Sequence, residues 1–115
     1  MNIQIFGTKK CFDTKKAERY FKERRIKYQF IDLAEKGLSK RELESVRIAV
    51  GSVKELINEK AKDYEKSNLK QIMSSSIKEE ILLKNPLLLN TPIVRNGKQA
   101  TVGYKPETWK QWEEQ

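Results

Sequence analysis

Residues Met1–Phe6 set Ile3 and Ile5 against Asn2 and Gln4. This period of two predicts a short strand with one buried face. Gly7–Asp13 interrupts the pattern as a polar loop. From Thr14 to Arg25 the apolar positions Ala17, Tyr20 and Phe21 fall at i, i+3 and i+4, one face of a helix. Asp13 or Thr14 is placed to cap it. Ile26–Leu33 returns to strand character, with Tyr28 and Phe30 on one face. Strand, helix and strand this close together predict parallel pairing through a right-handed crossover.

The middle of the chain is helical. Ser39 and Glu42 form a capping box before Lys40–Val50, whose apolar stripe is Leu43, Val46 and Val50. Gly51 ends that helix, and Ser52 is placed to cap a second one running to Lys60 with Val53, Leu56 and Ile57 inward. A third is predicted over Ser76–Leu83, before Asn85-Pro86, with the Ser74–Ser76 triplet as a loop. No internal repeat is present. Pro92–Arg95 and Gln99–Tyr104 read as a hairpin about Asn96-Gly97, a pair suited to a type I′ turn. Lys105–Gln115 reads as a closing helix with Pro106 near its start. Its Trp109 and Trp112 are spaced to pack inward and do not read as a ligand platform.

The order βαβ, helices, ββα predicts one α/β domain, 1–115, with a thioredoxin-like (glutaredoxin-like) layout. Its mixed four-stranded sheet belongs to a core of residues 1–33 and 86–115, with a helical insertion, 34–85, between strands 2 and 3. Thioredoxin-like proteins place a cis-proline before the third strand, and Thr91-Pro92 stands at that step.

Composition narrows the chemistry. The 115 residues contain no histidine and one cysteine. Histidine-based acid–base catalysis, histidine-containing zinc sites and an internal disulfide are thereby excluded, and no metal site is expected. Mean hydropathy is -0.76. No apolar run approaches the ~20 residues of a membrane span, and no signal-peptide pattern opens the chain. A soluble, cytoplasmic protein is expected, with no membrane partner.

The formal net charge of +8 is uneven. Residues 1–27 hold nine basic and three acidic side chains, a net +6, and the rest of the chain carries only +2. These cations are not interleaved with aromatics placed for base stacking, so direct nucleic-acid binding is not expected. An anion site near the cysteine is one reading of the excess, and a solvated basic surface is the other.

Cys11 stands just before a predicted helix, within Lys9-Lys10-Cys11-Phe12-Asp13-Thr14-Lys15-Lys16. Helix N–H groups and nearby lysines favour thiolate over thiol, below the free value of about 8.5. The thiolate is the nucleophile of disulfide exchange. Thr14 occupies the place of the resolving thiol in a C-x-x-C motif. Its hydroxyl is placed to hydrogen-bond the sulfur, or simply to cap the helix. A turnover cycle therefore needs an external thiol.

The opening IFGTKKCFDTKKAERYF, the middle GSVKELINEKAKDYEKSNL and the closing NPLLLNTPIVRNG with VGYKPETW together resemble the arsenate reductase (ArsC) and Spx family of thioredoxin-like proteins. The resemblance implies that Cys11 is the nucleophile of a thiol oxidoreductase acting on a small anionic or disulfide substrate. No cofactor is bound in that family; glutathione serves as co-substrate, and glutaredoxin completes the reduction. The three arginines that hold the oxyanion in arsenate reductases fall on Lys54, Thr91 and Lys105, and the cis-proline falls on Pro92. Lys10 and Lys15 are further candidates for holding an anion. Lysine lacks the bidentate fork of arginine, and the family's His-Asn-Pro before the cysteine is absent, which argues against efficient arsenate reduction. Spx-type members instead bind the RNA polymerase alpha subunit through a surface that includes a glycine matching Gly51. They also switch through a C-x-x-C disulfide that Thr14 makes impossible here. A non-catalytic regulator or interaction protein is thus the second reading.

Overall fold

The computed structural model describes residues 1–115. Strand β1 (Ile3–Gly7) is followed by helix α1 (Phe12–Glu23) and strand β2 (Tyr28–Asp32). Helices α2 (Lys40–Val50), α3 (Tyr64–Ser67) and α4 (Ser75–Lys84) follow, with short 3₁₀ turns at Val53–Leu56, Leu69–Gln71 and Pro86–Leu88. The hairpin β3 (Ile93–Asn96) and β4 (Gln99–Val102) and helix α5 (Pro106–Glu113) close the chain.

The four strands form one mixed sheet in the order β2-β1-β3-β4. Strand β1 pairs parallel with β2 and antiparallel with β3, which pairs antiparallel with β4. This is the thioredoxin-like arrangement, with the helical insertion between the second and third strands. Alternation along the central strands sends side chains to two cores. Ile3, Ile5 and Val94 meet Ala17 and Phe21 of α1 and Trp109 and Trp112 of α5 on one face. Phe6 and Ile93 face the other way, onto Leu43, Val46, Leu56, Leu69 and Leu82 of the insertion and Leu88 just after it. The register follows suit: Ile5 pairs with Val94 and Phe6 with Ile93. No helix is long and apolar enough to cross a membrane.

Local signals were reliable where no distant contact competed. The Ser39–Glu42 capping box forms reciprocally. Gly51 ends α2 at φ 102, the left-handed region that glycine enters without a Cβ penalty. Both tryptophans are buried, and Trp109 Nε1 donates to Thr101 Oγ1 at 2.8 Å.

Four expectations are corrected. The cap of α1 is Cys11, in extended conformation, and neither Asp13 nor Thr14. The helix begins two residues early because its first turn buries Thr14 against the end of β1. The helix expected from Ser52 to Lys60 is only the 3₁₀ turn Val53–Leu56, because Ile57 turns extended and bridges Leu89. Ser74–Ser76 is not a loop: Ser74 caps α4 by accepting from Ile77 N, and the next two serines are its first turn. Finally, Asn96 remains paired with Gln99, so the hairpin turns on Gly97-Lys98. Only Gly97 has a positive φ there, 62°, the pattern of a type II′ turn and not a type I′.

Candidate active site

The sulfur sits where three distant pieces of chain converge. Parallel pairing of β1 with β2 fixes the end of β1 at Gly7, and the chain then turns through Thr8–Lys10 into α1. Cys11 N donates to Thr8 O at 3.2 Å, and Cys11 O accepts the first bond of the helix from Lys15 N. Cys11 is half-buried at the positive end of the α1 dipole. Thr91 is brought opposite by the hairpin, and its peptide bond to the buried Pro92 is cis, as the sequence resemblance implied.

Two hydroxyls attend the sulfur. Thr91 Oγ1 donates to Cys11 Sγ at 3.1 Å, while the protonated thiol has only a weak acceptor in Thr91 O, 3.8 Å away. Thr14 is fully buried, and no protein group accepts from its Oγ1 in ordinary geometry. Charged sulfur is the acceptor open to it. Desolvation pushes the Cys11 thiol up. The Thr14 and Thr91 hydroxyls, then the Thr14 and Asp13 N–H groups, outweigh it and lower the thiol below its ordinary value. Sγ closes no conventional side-chain cap bond. The N–H groups act on it through dipole and proximity, as at other activated cysteines at helix starts.

Sequence reasoning missed two supporting residues. A Cβ at Gly7 would lie 2.5 Å from Thr14 Cγ2 and closer still to its Oγ1, so only glycine leaves room for Thr14 beneath the sulfur. The available signal was a lone glycine closing the first strand. Asn90 pins the segment before Thr91: its Nδ2 donates to Glu55 O at 3.1 Å and Ile57 O at 2.9 Å, and its N–H to Leu56 O at 2.8 Å. These bonds tie Thr91 to the 3₁₀ turn of the insertion, a tertiary contact with no local sequence signature.

A cleft of about 620 Å³, lined by Asp13, Glu55, Asn90, Thr91, Lys105 and Thr108 among others, reaches the thiol through Asp13 and Thr91, and Cys11 itself is not part of its wall. Of the lysines singled out from sequence, Lys105 lines it. Lys54 is exposed on the 3₁₀ turn, where its neighbour Glu55 faces the cleft instead. Lys10 is exposed, and Lys15 carries its Nζ 5.7 Å over the ring of Phe12. The structure thus gathers Thr14, Thr91 and Pro92 about Cys11 and puts Lys105 on the wall of the adjoining cleft, while Lys10, Lys15 and Lys54 do not line that cleft. Asp13 and Glu55 against one lysine leave this wall without an excess of positive charge.

Comparison with known proteins agrees with this fold. The model of the ArsC family matches residues 6–112. The uncharacterized protein YusI of Bacillus subtilis is 27% identical over 96% of this chain and 98% of its own. Global transcriptional regulator Spx 2 of Oceanobacillus iheyensis is 28% identical, covering 97% of this chain and 84% of the relative. Among solved structures, an arsenate reductase from Vibrio cholerae superposes with a TM-score of 0.85 at 24% identity, over 96% of this chain and 97% of that one. That likeness establishes the shared fold.

Proposed function

The chain belongs to the ArsC family, and on that premise we propose that it is a single-cysteine thiol oxidoreductase working with an external thiol. The observation that carries this reading is the hydrogen bond from Thr91 Oγ1 to Cys11 Sγ, at the start of a helix and above a buried hydroxyl with no other acceptor.

The chemistry follows from having one thiol. The Cys11 thiolate attacks one sulfur of a disulfide substrate. A new S–S bond to Sγ forms, the substrate bond breaks, and the departing sulfur leaves as thiolate and takes a proton from water. Thr14 and Thr91 hold the attacking charge before the step and release it as the sulfur becomes neutral. Thr14 offers no second thiol, so the mixed disulfide waits for an external one. Glutathione fits that role: its thiolate attacks the non-protein sulfur, releases Cys11 as thiolate and leaves as oxidised disulfide. A glutaredoxin-type protein serves equally as the reductant. Lys105 is the one cation on the cleft wall placed to hold a carboxylate of such a tripeptide. Arsenate is a poor substrate in this account, because lysine supplies a point charge where a bidentate fork is needed and Thr91 supplies none.

The test is single-turnover reduction of a glutathionylated peptide by the reduced protein. Wild type forms a glutathione adduct on Cys11 that added glutathione clears, and Cys11→Ser forms none. Turnover by Cys11→Ser at the wild-type rate contradicts the proposal.

A second reading is favoured by the relatives named Spx. Gly51 is exposed at the end of α2, and nothing lies within 4 Å of where its Cβ would be. That leaves the surface open to a partner such as the RNA polymerase alpha subunit. This reading expects binding to that subunit that survives Cys11→Ser and is lost in Gly51→Arg.

A further inference from the structure

Helix α1 has a face that the thiol chemistry does not use. Thr14, Ala17, Tyr20 and Phe21 turn inward, while Phe12, Lys15, Lys16, Arg19 and Lys22 are exposed. A groove of about 350 Å³ runs beside this face toward the β4–α5 link, lined by Lys16, Arg19, Tyr20, Glu23, Arg24 and Tyr104. Arg24 is paired with Glu113 at 3.4 Å, whereas Lys16 and Arg19 take part in no ion pair. The groove therefore presents excess positive charge even after Glu23 is counted. It also adjoins the thiol cleft, because Tyr104 lines the one and Lys105 the other. Phe12, the first residue of the helix after Cys11, is 78% exposed.

The occupant can be specified by chemistry. Single-stranded nucleic acid is held by bases stacked on free aromatic faces, and a duplex by many phosphate contacts, where this groove offers two unpaired cations. The Tyr104 ring already carries Lys16 Nζ at 5.6 Å, and the Tyr20 ring carries the Arg24 guanidinium at 3.7 Å. Charge complementarity without stacking suits carboxylates on a peptide. At ~1.5 Å rise per residue, Lys16 lies ~7.5 Å and Arg19 ~12 Å along the helix from Cys11. An extended strand at ~3.3 Å per residue covers those distances in about two and about four residues. We infer that this groove docks the protein partner of Cys11, an extended segment with acidic residues about two and four positions from its own reactive cysteine. The inference rests on the proposal that Cys11 forms mixed disulfides, and names the class of partner it forms them with.

The experiment uses two peptides, each with one cysteine carried as its 2-thiopyridyl disulfide. One has Glu two and four positions from the cysteine, and the other has Lys. Cys11 thiolate attacks the peptide sulfur, and the leaving pyridine thiolate takes a proton and is read by absorbance. The Glu peptide is expected to react about ten-fold faster at low ionic strength, an advantage that collapses in about 1 M salt, where the screening length is ~3 Å. Lys16→Glu combined with Arg19→Glu removes or inverts the preference. Its rate with the neutral reagent 2,2′-dithiodipyridine moves less than about two-fold, because that reagent needs no docking. Equal peptide rates at low salt, or a preference that the double variant keeps, overturns the inference. So does a single-stranded oligonucleotide that displaces the acidic peptide and binds more tightly. A slow Cys11 in every assay would sink the thiol chemistry instead. In that case a cysteine-free acidic peptide binding to Cys11→Ser, read by fluorescence anisotropy, still supports the groove, and its failure to bind overturns it.

Discussion

The Thr91 hydroxyl donates to the sulfur of Cys11 across 3.1 Å, from a residue 80 positions further along the chain. Neither residue is activated alone. A cysteine at a helix start gains from the dipole, but desolvation of its half-buried sulfur works against it. The hairpin delivers a donor that shifts the balance toward thiolate.

Thr91→Val removes that donor and keeps the shape. The thiol is expected to rise, and alkylation at neutral pH to slow by roughly three- to ten-fold, a charge-assisted bond discounted for solvent exposure. Thr91→Ser keeps the hydroxyl and should stay close to wild type. The check is the pH–rate profile of alkylation; identical profiles for the valine variant and wild type would remove Thr91 from the account.

Gly7→Ala forces a Cβ into the Thr14 side chain, which is fully buried and has no space to retreat into. Overpacking of this kind costs about 1–3 kcal/mol, measurable by urea unfolding. Because the displaced hydroxyl also serves the sulfur, the thiol should rise in the same variant. A destabilised protein with an unaltered thiol would confine Thr14 to packing.

Asn90→Ala deletes the two bonds to Glu55 O and Ile57 O that pin the Thr91 segment to the insertion. A loss of about 1–2 kcal/mol is expected, together with slower alkylation of Cys11. A merely structural Asn90 would lower stability and leave the pH–rate profile where it was.

Alkaline stability should follow two tyrosines. Tyr20 is pushed up to about 12 by burial and by donating to Glu113 at 2.7 Å, and Tyr28 to about 12 by burial and by donating to Glu18 at 3.0 Å. Each is protonated more firmly in the folded than in the unfolded chain. Their contribution is thus fully present below the ordinary value of 10.0 and is lost as pH rises through about 12. Denaturant midpoints should hold below that window and fall within it. Tyr20→Phe should fall less steeply there, and an equal decline would assign the loss to other groups.

The parts legible in the sequence were those encoded over a few residues. Ile3 and Ile5 announce a strand by period, Ser39 and Glu42 a helix start by a reciprocal cap, and Trp109 and Trp112 a core face by spacing. Legibility failed where tertiary contacts override local preference. Cysteine is not a favoured cap, so Asp13 and Thr14 were the natural candidates until the burial of Thr14 moved the helix start. The Ile57–Leu89 bridge converts a plausible helix after Ser52 into a single 3₁₀ turn, and that turn carries Lys54 off the cleft wall and Glu55 onto it. Cys11 itself was visible as the lone thiol before a helix. Its supports at Gly7 and Asn90 were not, because one acts by lacking a side chain and the other through carbonyls of a distant turn.

The central claim is that folding turns Cys11 into a nucleophile, and the pH dependence of its alkylation by a neutral reagent tests it most directly. The same chain in denaturant supplies the reference. Native Cys11 is predicted to titrate below the denatured thiol. By linkage, its thiolate adds stability above the unfolded thiol's pKa and loses that contribution as pH falls through the folded value. A native titration at or above the denatured one, with slow labelling across the range, would contradict the account and leave Cys11 a structural thiol.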